Sequence, residues 1–380
     1  MRVVGPAAGS GSSYAVGMAE QEKAERESAG NGVGGAPGAI EPLAALRRIA
    51  FLMERTRGET RRVEAFRKAA ATIVRLPPGE LADRAAVGTL TDLPAVGKST
   101  GAVIAQALAG ERPDYLVDLE AAGAADALVE GSEPLLSQLR GDLHSHSNWS
   151  DGGSPIEEMV ATAMELGREY LALTDHSRGL RVANGLSEER LAKQLDVVAA
   201  VDAHVRGSGF RLLSGIEVDI LDDGGLDQEP ELLERLDVVV ASVHSKLRSP
   251  AAAMTKRMLG AIENPRTNVL GHCTGRLVEG RRGTRPPSQF DAKAVFAACA
   301  AHDVAVEINS RPERCDPPAE LIELALEAGC LFSIDTDSHA PGQLDFLAYG
   351  AARAQRLGVP PERIVTTWEV DRLLDWAARR

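Results

Sequence analysis

From about Arg140 onward the chain repeats one rhythm: a short apolar run, a polar burst, then an amphipathic stretch. The apolar runs fall at 139–143, 170–175, 210–217, 237–243, 268–271, 304–308 and 331–336. Strand-sized runs alternating with helical patterns predict βαβ units, which require a parallel sheet. Seven such units at even spacing favour closure of the sheet into a barrel. The expected fold class is α/β, a seven-stranded β/α barrel. Ser154 and Pro155 suit the N-cap and first turn of the helix after the first strand.

The histidines sit in the polar bursts. Six of the chain's eight fall in five of them: Asp142-Leu143-His144-Ser145-His146, Thr174-Asp175-His176, Ser242-Val243-His244, Leu270-Gly271-His272 and Asp335-Thr336-Asp337-Ser338-His339. Glu217 closes the third apolar run in the same way. Side chains two apart on a strand share a face, so His144 pairs with His146, and Asp337 with His339. Functional groups of such barrels collect at the C-terminal strand ends. Imidazoles and carboxylates at one rim are what a multinuclear site for borderline divalent metals requires. Such ions lower the pKa of a bridging water and clamp the oxygens of a phosphoryl group. The sequence therefore predicts a phosphoester hydrolase whose nucleophile is a metal-bound hydroxide. Phosphate oxygens not held by metal call for cations, to which the arginine fork is suited. Arg178, Lys246, Arg276, Arg311 and Arg314 stand near strand ends. His204 and His302, inside helical segments, read as ordinary core or surface residues.

Aromatic residues make up only 4% of the chain, so its core must be built mainly from Ala, Val and Leu. No apolar run approaches the roughly 18 residues of a membrane span, and the N-terminus has no export h-region. Four cysteines without C-x-x-C spacing predict reduced thiols and a cytoplasmic protein. The net charge of −13 is uneven: residues 141–380 hold 26 basic against 37 acidic groups, residues 41–140 hold 13 against 14. That excess argues against a broad basic groove for long nucleic acid on the barrel.

Residues 1–40, rich in Gly, Ala, Ser and Glu, predict a disordered tail, with Met18 an alternative start. From 42 to 135 the pattern is helical, with Leu43, Leu46, Ile49, Ala50 and Met53 at three- and four-residue spacing. A second helix over 61–74 stops before Pro77-Pro78, and another over 101–108 follows Leu93-Pro94-Ala95-Val96-Gly97-Lys98.

Together the bursts resemble the PHP (polymerase and histidinol phosphatase) family, and more narrowly the PHP domain of bacterial X-family DNA polymerases. Further matching runs are Ser147-Asn148-Trp149-Ser150-Asp151-Gly152, Gly215-Ile216-Glu217-Val218-Asp219, Gly271-His272-Cys273-Thr274-Gly275-Arg276 and Glu307-Ile308-Asn309. The resemblance spans nearly all of 138–375. It implies a distorted seven-stranded barrel over 138–380 with three divalent metal ions, zinc or manganese, iron also being compatible. Carried over by position, the first ion would take His144, His146, Glu217 and Asp337. Glu217 would bridge to a second on His244 and His272, and Asp151, His176 and His339 would hold the third. Glu217, His176, Arg311 and Lys246 are the candidate catalytic groups.

Residues 41–135 resemble the helical domain of the same polymerases, including its helix-hairpin-helix, through Arg61-Arg62-Val63-Glu64-Ala65-Phe66-Arg67-Lys68 and the Leu93–Lys98 run. Such a hairpin presents backbone N–H groups to a DNA phosphate without reading sequence. Gly97, Lys98 and Ser99, with Arg62, Arg67 and Lys68, are the candidate DNA contacts. Ala95 replaces the hairpin's usual first glycine, and Val103 stands where lyase-active members carry lysine, so no lyase chemistry is expected. Too few residues lie between the two regions for a polymerase palm.

The resemblance leads to a metal-dependent phosphoesterase on DNA ends, a 3′→5′ exonuclease or 3′-end processor. Nine basic residues against three acidic ones between Arg47 and Arg75 support DNA contact. The alternatives are a phosphatase for a small phosphomonoester of the histidinol-phosphatase type, which the acidic barrel favours, and a non-catalytic DNA-binding scaffold. A full ligand set argues against the last. No membrane partner is expected.

Overall fold

A computed structural model describes residues 39–280 and 283–378. The tail expected over 1–40 lies outside the described residues except for its last two. Two compact units divide between Asp126 and Ala127.

The described part of the first unit is helical: α1 (Pro42–Arg55), α2 (Thr60–Ile73), α3 (Glu80–Ala86), α4 (Lys98–Leu108) and α5 (Asp114–Ala121). Pro42 opens α1 at a position where its missing N–H costs nothing. Leu46, Ile49 and Leu52 of α1 are buried with Phe66 and Ala69 of α2 and Val103 and Ile104 of α4. Val103 is thus a core residue, 1% exposed. Ala95, two residues before the N-cap Gly97, has φ of 61°, in the left-handed region where an L side chain is strained. The turn keeps the geometry a glycine would adopt freely, although alanine occupies it.

The second unit opens with α6 (Glu133–Leu136), which the sequence grouped with the helical region. Leu135 is buried in the barrel's core, and Gly131 O accepts from Gln355 Nε2 at 3.0 Å, which ties this segment to the barrel instead. There follow β1 (Gly141–Ser145), α7 (Ile156–Glu165), β2 (Tyr170–Leu173), α8 (Glu188–Val205), β3 (Arg211–Asp219), α9 (Pro230–Leu233) and β4 (Val238–Ser242). Then come α10 (Ala251–Ile262), β5 (Val269–Leu270), α11 (Ala292–Ala301), β6 (Ala305–Asn309), α12 (Ala319–Glu327), β7 (Phe332–Asp335), α13 (Leu347–Arg356) and α14 (Val370–Ala378). The helix after β1 begins one residue later than expected. Pro155 takes the N-cap position without a side-chain cap, and Ser154 is buried.

The seven strands pair in sequence order, every neighbour parallel. Two features distort the barrel. β3 is shared: its first half pairs with β2 and its second half, from Gly215, with β4. A Cβ on Gly215 would sit 2.8 Å from Thr174 Cγ2 and 2.9 Å from Val238 O, so only glycine lets the strand change partners there. The seam between β1 and β7 has only one backbone bridge, Ser145 to Ser338. Side chains close the rest. Asp335 Oδ1 accepts from Leu143 N at 2.8 Å, and Asp142 accepts from Thr336 N, Thr336 Oγ1 and His144 N.

Candidate metal centre

All nine expected ligands come together at the C-terminal rim of the strands. His144 lies on β1 and His146 just beyond it. Glu217 is inside β3, and His176, His244, His272 and Asp337 follow β2, β4, β5 and β7 closely. Alternation along β1 turns His144 and His146 to the same side, with ring centroids 5.2 Å apart. From there the imidazoles run in a ring: His146 to His176 at 4.4 Å, His176 to His244 at 5.2 Å, His244 to His272 at 5.3 Å, and His272 back to His144 at 5.8 Å. His339 lies 4.3 Å from His146.

Glu217 stands in the middle, 1% exposed. Its Oε1 faces His272 Nε2 at 2.9 Å and His244 Nε2 at 3.2 Å. Its Oε2 faces His176 Nδ1 at 2.7 Å, His144 Nε2 at 3.3 Å and His146 Nε2 at 3.7 Å. The two oxygens therefore serve two sets of imidazoles. Asp337 Oδ1 lies 3.3 Å from His146 Nε2, and Asp151 Oδ1 lies 3.5 Å from His176 Nε2 and 3.4 Å from His339 Nε2. Asp337 has φ of 52°, a strained conformation held by its surroundings.

Four groupings have ligand atoms close enough to hold a metal ion: His146, Asp151, His176 and His339; His144, His146 and Asp337; His144, Glu217 and His272; and His176, Glu217 and His244. A test of fit lies in the buried atoms that make no hydrogen bond. They include His144 Nε2, both ring nitrogens of His146 and His244, His176 Nδ1, His272 Nδ1 and Glu217 Oε2. Buried polar atoms without partners are costly and uncommon. So many around one carboxylate, all nitrogen or oxygen donors, fit divalent cations.

The electrostatics agree. Burial and the His339 and His176 rings push His146 well below its ordinary value. Burial also pushes His144 down, but the Glu217 and Glu307 carboxylates override it and hold the ring well above normal. Burial pushes His244 down as well, but Glu217 and Asp219 together raise it to about 9. Burial alone would raise Glu217; His144, His244 and His176 hold it well below the carboxylate range. The rings cannot all carry a proton at this spacing.

Several supporting groups take roles that the sequence did not assign to them. Glu307 Oε1 lies 2.6 Å from His144 Nδ1, and its Oε2 accepts from the His272 amide and from Asn309 Nδ2. This fixes His144 with Nε2 turned to the cluster, as metal-bound imidazoles are usually fixed. Asp175 accepts from Ser147 N at 2.8 Å, Ser147 Oγ, Ser150 Oγ and Gln194 Nε2, pinning the loop that carries His146 and Asp151. Arg314, half-buried, donates from Nε to Asp337 Oδ2 at 2.9 Å. Glu307 stood in one of the matching runs and Arg314 among the expected phosphate donors, but their ties to His144 and Asp337 had no sequence signal.

The expected phosphate donors divide. Arg311 Nη1 donates to Asp337 O at 2.8 Å and lies 2.9 Å from His339 Nδ1, at the edge of the cluster. Lys246 is a correction. It stands in a left-handed turn (φ 53°), exposed, with its ammonium paired to Asp222 rather than to any cluster residue. Arg178 pairs with Glu188 and Glu229.

In the first unit Gly97, Lys98 and Ser99 are exposed at the start of α4, whose first amides have no intrahelical acceptor. Thr100 Oγ1 accepts from Gly97 N at 2.9 Å and steadies the turn. Arg62 and Lys68 are exposed, in pairs with Glu59 and Glu64. Arg67 is a second correction. It is 9% exposed and grips both oxygens of buried Glu54, Nε to Oε1 at 2.8 Å and Nη2 to Oε2 at 2.6 Å. Its charge supports the core of the helical unit instead of facing outward.

A β/α barrel of seven parallel strands, with histidines and carboxylates caged at its C-terminal rim, defines the class. Residues 142–311 match the PHP domain, and residues 40–113 match a helix-hairpin-helix domain. The chain thus carries a PHP domain preceded by a helix-hairpin-helix domain. It is 38% identical over 221 residues to the DNA polymerase/3′-5′ exonuclease PolX of Bacillus subtilis. That alignment covers 58% of this chain but only 38% of the polymerase. It is 27% identical over 234 residues to a probable phosphatase of Syntrophotalea carbinolica, covering 59% of this chain and 90% of that protein. A histidinol phosphate phosphatase of Lactococcus lactis, solved with zinc, histidinol and phosphate, matches at 20% identity with a TM-score of 0.44 over 58% of this chain and 94% of that one. That likeness is too loose to bear on the site. Among the described residues no helix is long and apolar enough to cross a membrane, and all four cysteines are free.

Proposed function

We propose that the protein is a metal-dependent phosphoesterase acting on DNA ends, as a 3′→5′ exonuclease or 3′-end processor. The observation that carries this reading is the presence in one chain of a nine-residue ligand cage and a helix-hairpin-helix domain with exposed first-turn amides. The name of the Bacillus subtilis relative, which includes a 3′-5′ exonuclease, supports it.

In this reading His144, His146, Glu217 and Asp337 hold one ion. His244 and His272 hold a second, with Glu217 shared through its two oxygens. Asp151, His176 and His339 hold a third. Divalent ions there, zinc or manganese, would supply an activated water and neutralise phosphoryl oxygens. The chain's own residues do the rest. Glu307 holds the His144 ring in its working tautomer, and Arg314 fixes the Asp337 carboxylate. Arg311 sets a guanidinium at the edge of the cage where a phosphate oxygen would lie. The first-turn amides of α4, with Lys98, receive a backbone phosphate without regard to base sequence.

A second reading has its own support. The phosphatase relative is aligned over almost its whole length, so the barrel alone corresponds to a complete enzyme of that kind. Metal-loaded protein assayed on 3′-tailed DNA and on histidinol phosphate separates the two, alongside a Lys98→Glu variant. The DNA reading expects turnover of the tailed DNA that falls in the variant. Efficient hydrolysis of histidinol phosphate, indifferent to Lys98 and without DNA turnover, would establish the other.

A further inference from the structure

We propose that the rim loops following β4, β5 and β6 form one basic platform that holds the phosphodiester backbone of a single DNA strand beside the cage. This inference rests on the DNA-end reading above and places part of the DNA grip on the barrel itself.

Hydrogen bonds tie the three loops into one body. Ser288 Oγ donates to Leu247 O at 2.8 Å, joining the β5 loop to the β4 loop. Val278 N donates to Glu313 O at 2.8 Å, and Arg276 Nε to Cys315 O at 3.1 Å, joining it to the β6 loop. Within the β5 loop, Leu277 and Arg285 exchange both backbone hydrogen bonds at 2.9 Å, making a short antiparallel hairpin.

The charge on this body runs against the barrel's overall sign. Among the described residues, 243–250, 271–280, 283–291 and 310–318 carry six basic groups and four acidic ones, with Lys246 of the six paired to Asp222. Two of the four acidic groups are engaged in structure: Asp316 is buried and accepts from Thr274 and Arg276 amides, and Asp291 caps α11. The β3–β4 connection, 220–237, carries seven acidic groups and one basic. The three loops thus carry a cationic excess that the connection before them lacks.

Among the described residues no carboxylate lies within ion-pair reach of Arg248, Arg276 or Arg285. Arg248 is exposed, and Arg276 and Arg285 are half-buried, each bracing backbone carbonyls. A guanidinium held that way keeps its charge and loses little freedom when a phosphate arrives. Arg311 and Arg314 form the platform's inner edge, since both bond to Asp337. A small phosphomonoester in the cage could engage only that edge. Arg248 and Arg285 would serve only a ligand that carries further phosphates, which is what a strand supplies.

Full-length protein in chelator would be titrated with a labelled short single-stranded oligonucleotide at several salt concentrations, as wild type, Arg248→Glu and Arg285→Gln. Each variant is also made in a Lys98→Glu background, which separates the platform from the hairpin. The expected result is a roughly tenfold weaker affinity for Arg248→Glu in both backgrounds, with the salt slope shallower by about 0.7 for each phosphate no longer neutralised. Unchanged affinity and slope in both variants would overturn the platform and leave the DNA reading standing. Absence of turnover of the same oligonucleotide by metal-loaded wild type, with a small phosphomonoester hydrolysed, would overturn both.

Discussion

Removing Arg67 would strip buried Glu54 of the cation that grips both its oxygens. Breaking such a buried pair from one side costs about 3 kcal/mol or more. Arg67→Ala should therefore lower the urea midpoint of the helical unit sharply, whereas an exposed change such as Arg62→Ala should shift it little. This residue was misread in the sequence because its partner lies thirteen positions away and burial cannot be counted from a run of basic residues. Ala95 was legible as a departure from glycine, and the left-handed φ supplies the consequence. Ala95→Gly should stabilise the unit by about 1 kcal/mol, read as a raised unfolding midpoint. At the cage, Glu307→Gln should weaken metal affinity by about tenfold to a hundredfold, measured by competition with a chromophoric chelator. Glu307 and His144 are 163 positions apart, so no local pattern could have paired them.

Among the elements, all seven strands were legible, because an apolar run ending in a polar burst marks both a buried strand and its functional end. What was not legible is how the barrel closes. The β1–β7 seam depends on Asp142 and Asp335, and those carboxylates look like any other polar residue beside a histidine. Asp142→Ala would leave the Thr336 and His144 donors buried without an acceptor. The expected cost is about 3 kcal/mol, at roughly 1 kcal/mol or more for each donor, seen in chemical denaturation of the barrel. The Ser154 expectation missed by one residue, within the ordinary uncertainty of a helix start. The turn at Lys246, with its left-handed φ and its tie to Asp222, was equally invisible, since it depends on the neighbouring β3 loop.

For the whole molecule, side chains from β1, β2, β3, β4, β5 and β7 meet around Glu217, so the ions proposed there would together tie most of the barrel. Anything that binds only the folded state stabilises it, by about 2.7 kcal/mol at a hundredfold excess over its dissociation constant. Chelation should accordingly lower the thermal midpoint of the barrel and leave the transition of the helical unit in place, as followed by calorimetry. Placing imidazoles at strand ends was enough to foresee the cage in outline; the division of labour between the two oxygens of Glu217 needed coordinates. The most direct test is the metal content per chain, by elemental mass spectrometry, of reconstituted wild type beside Glu217→Gln. The wild type should carry stoichiometric zinc or manganese, more than one ion per chain, and the variant clearly fewer. A wild type that takes up no transition metal on reconstitution, or a variant that holds as much, would contradict the account.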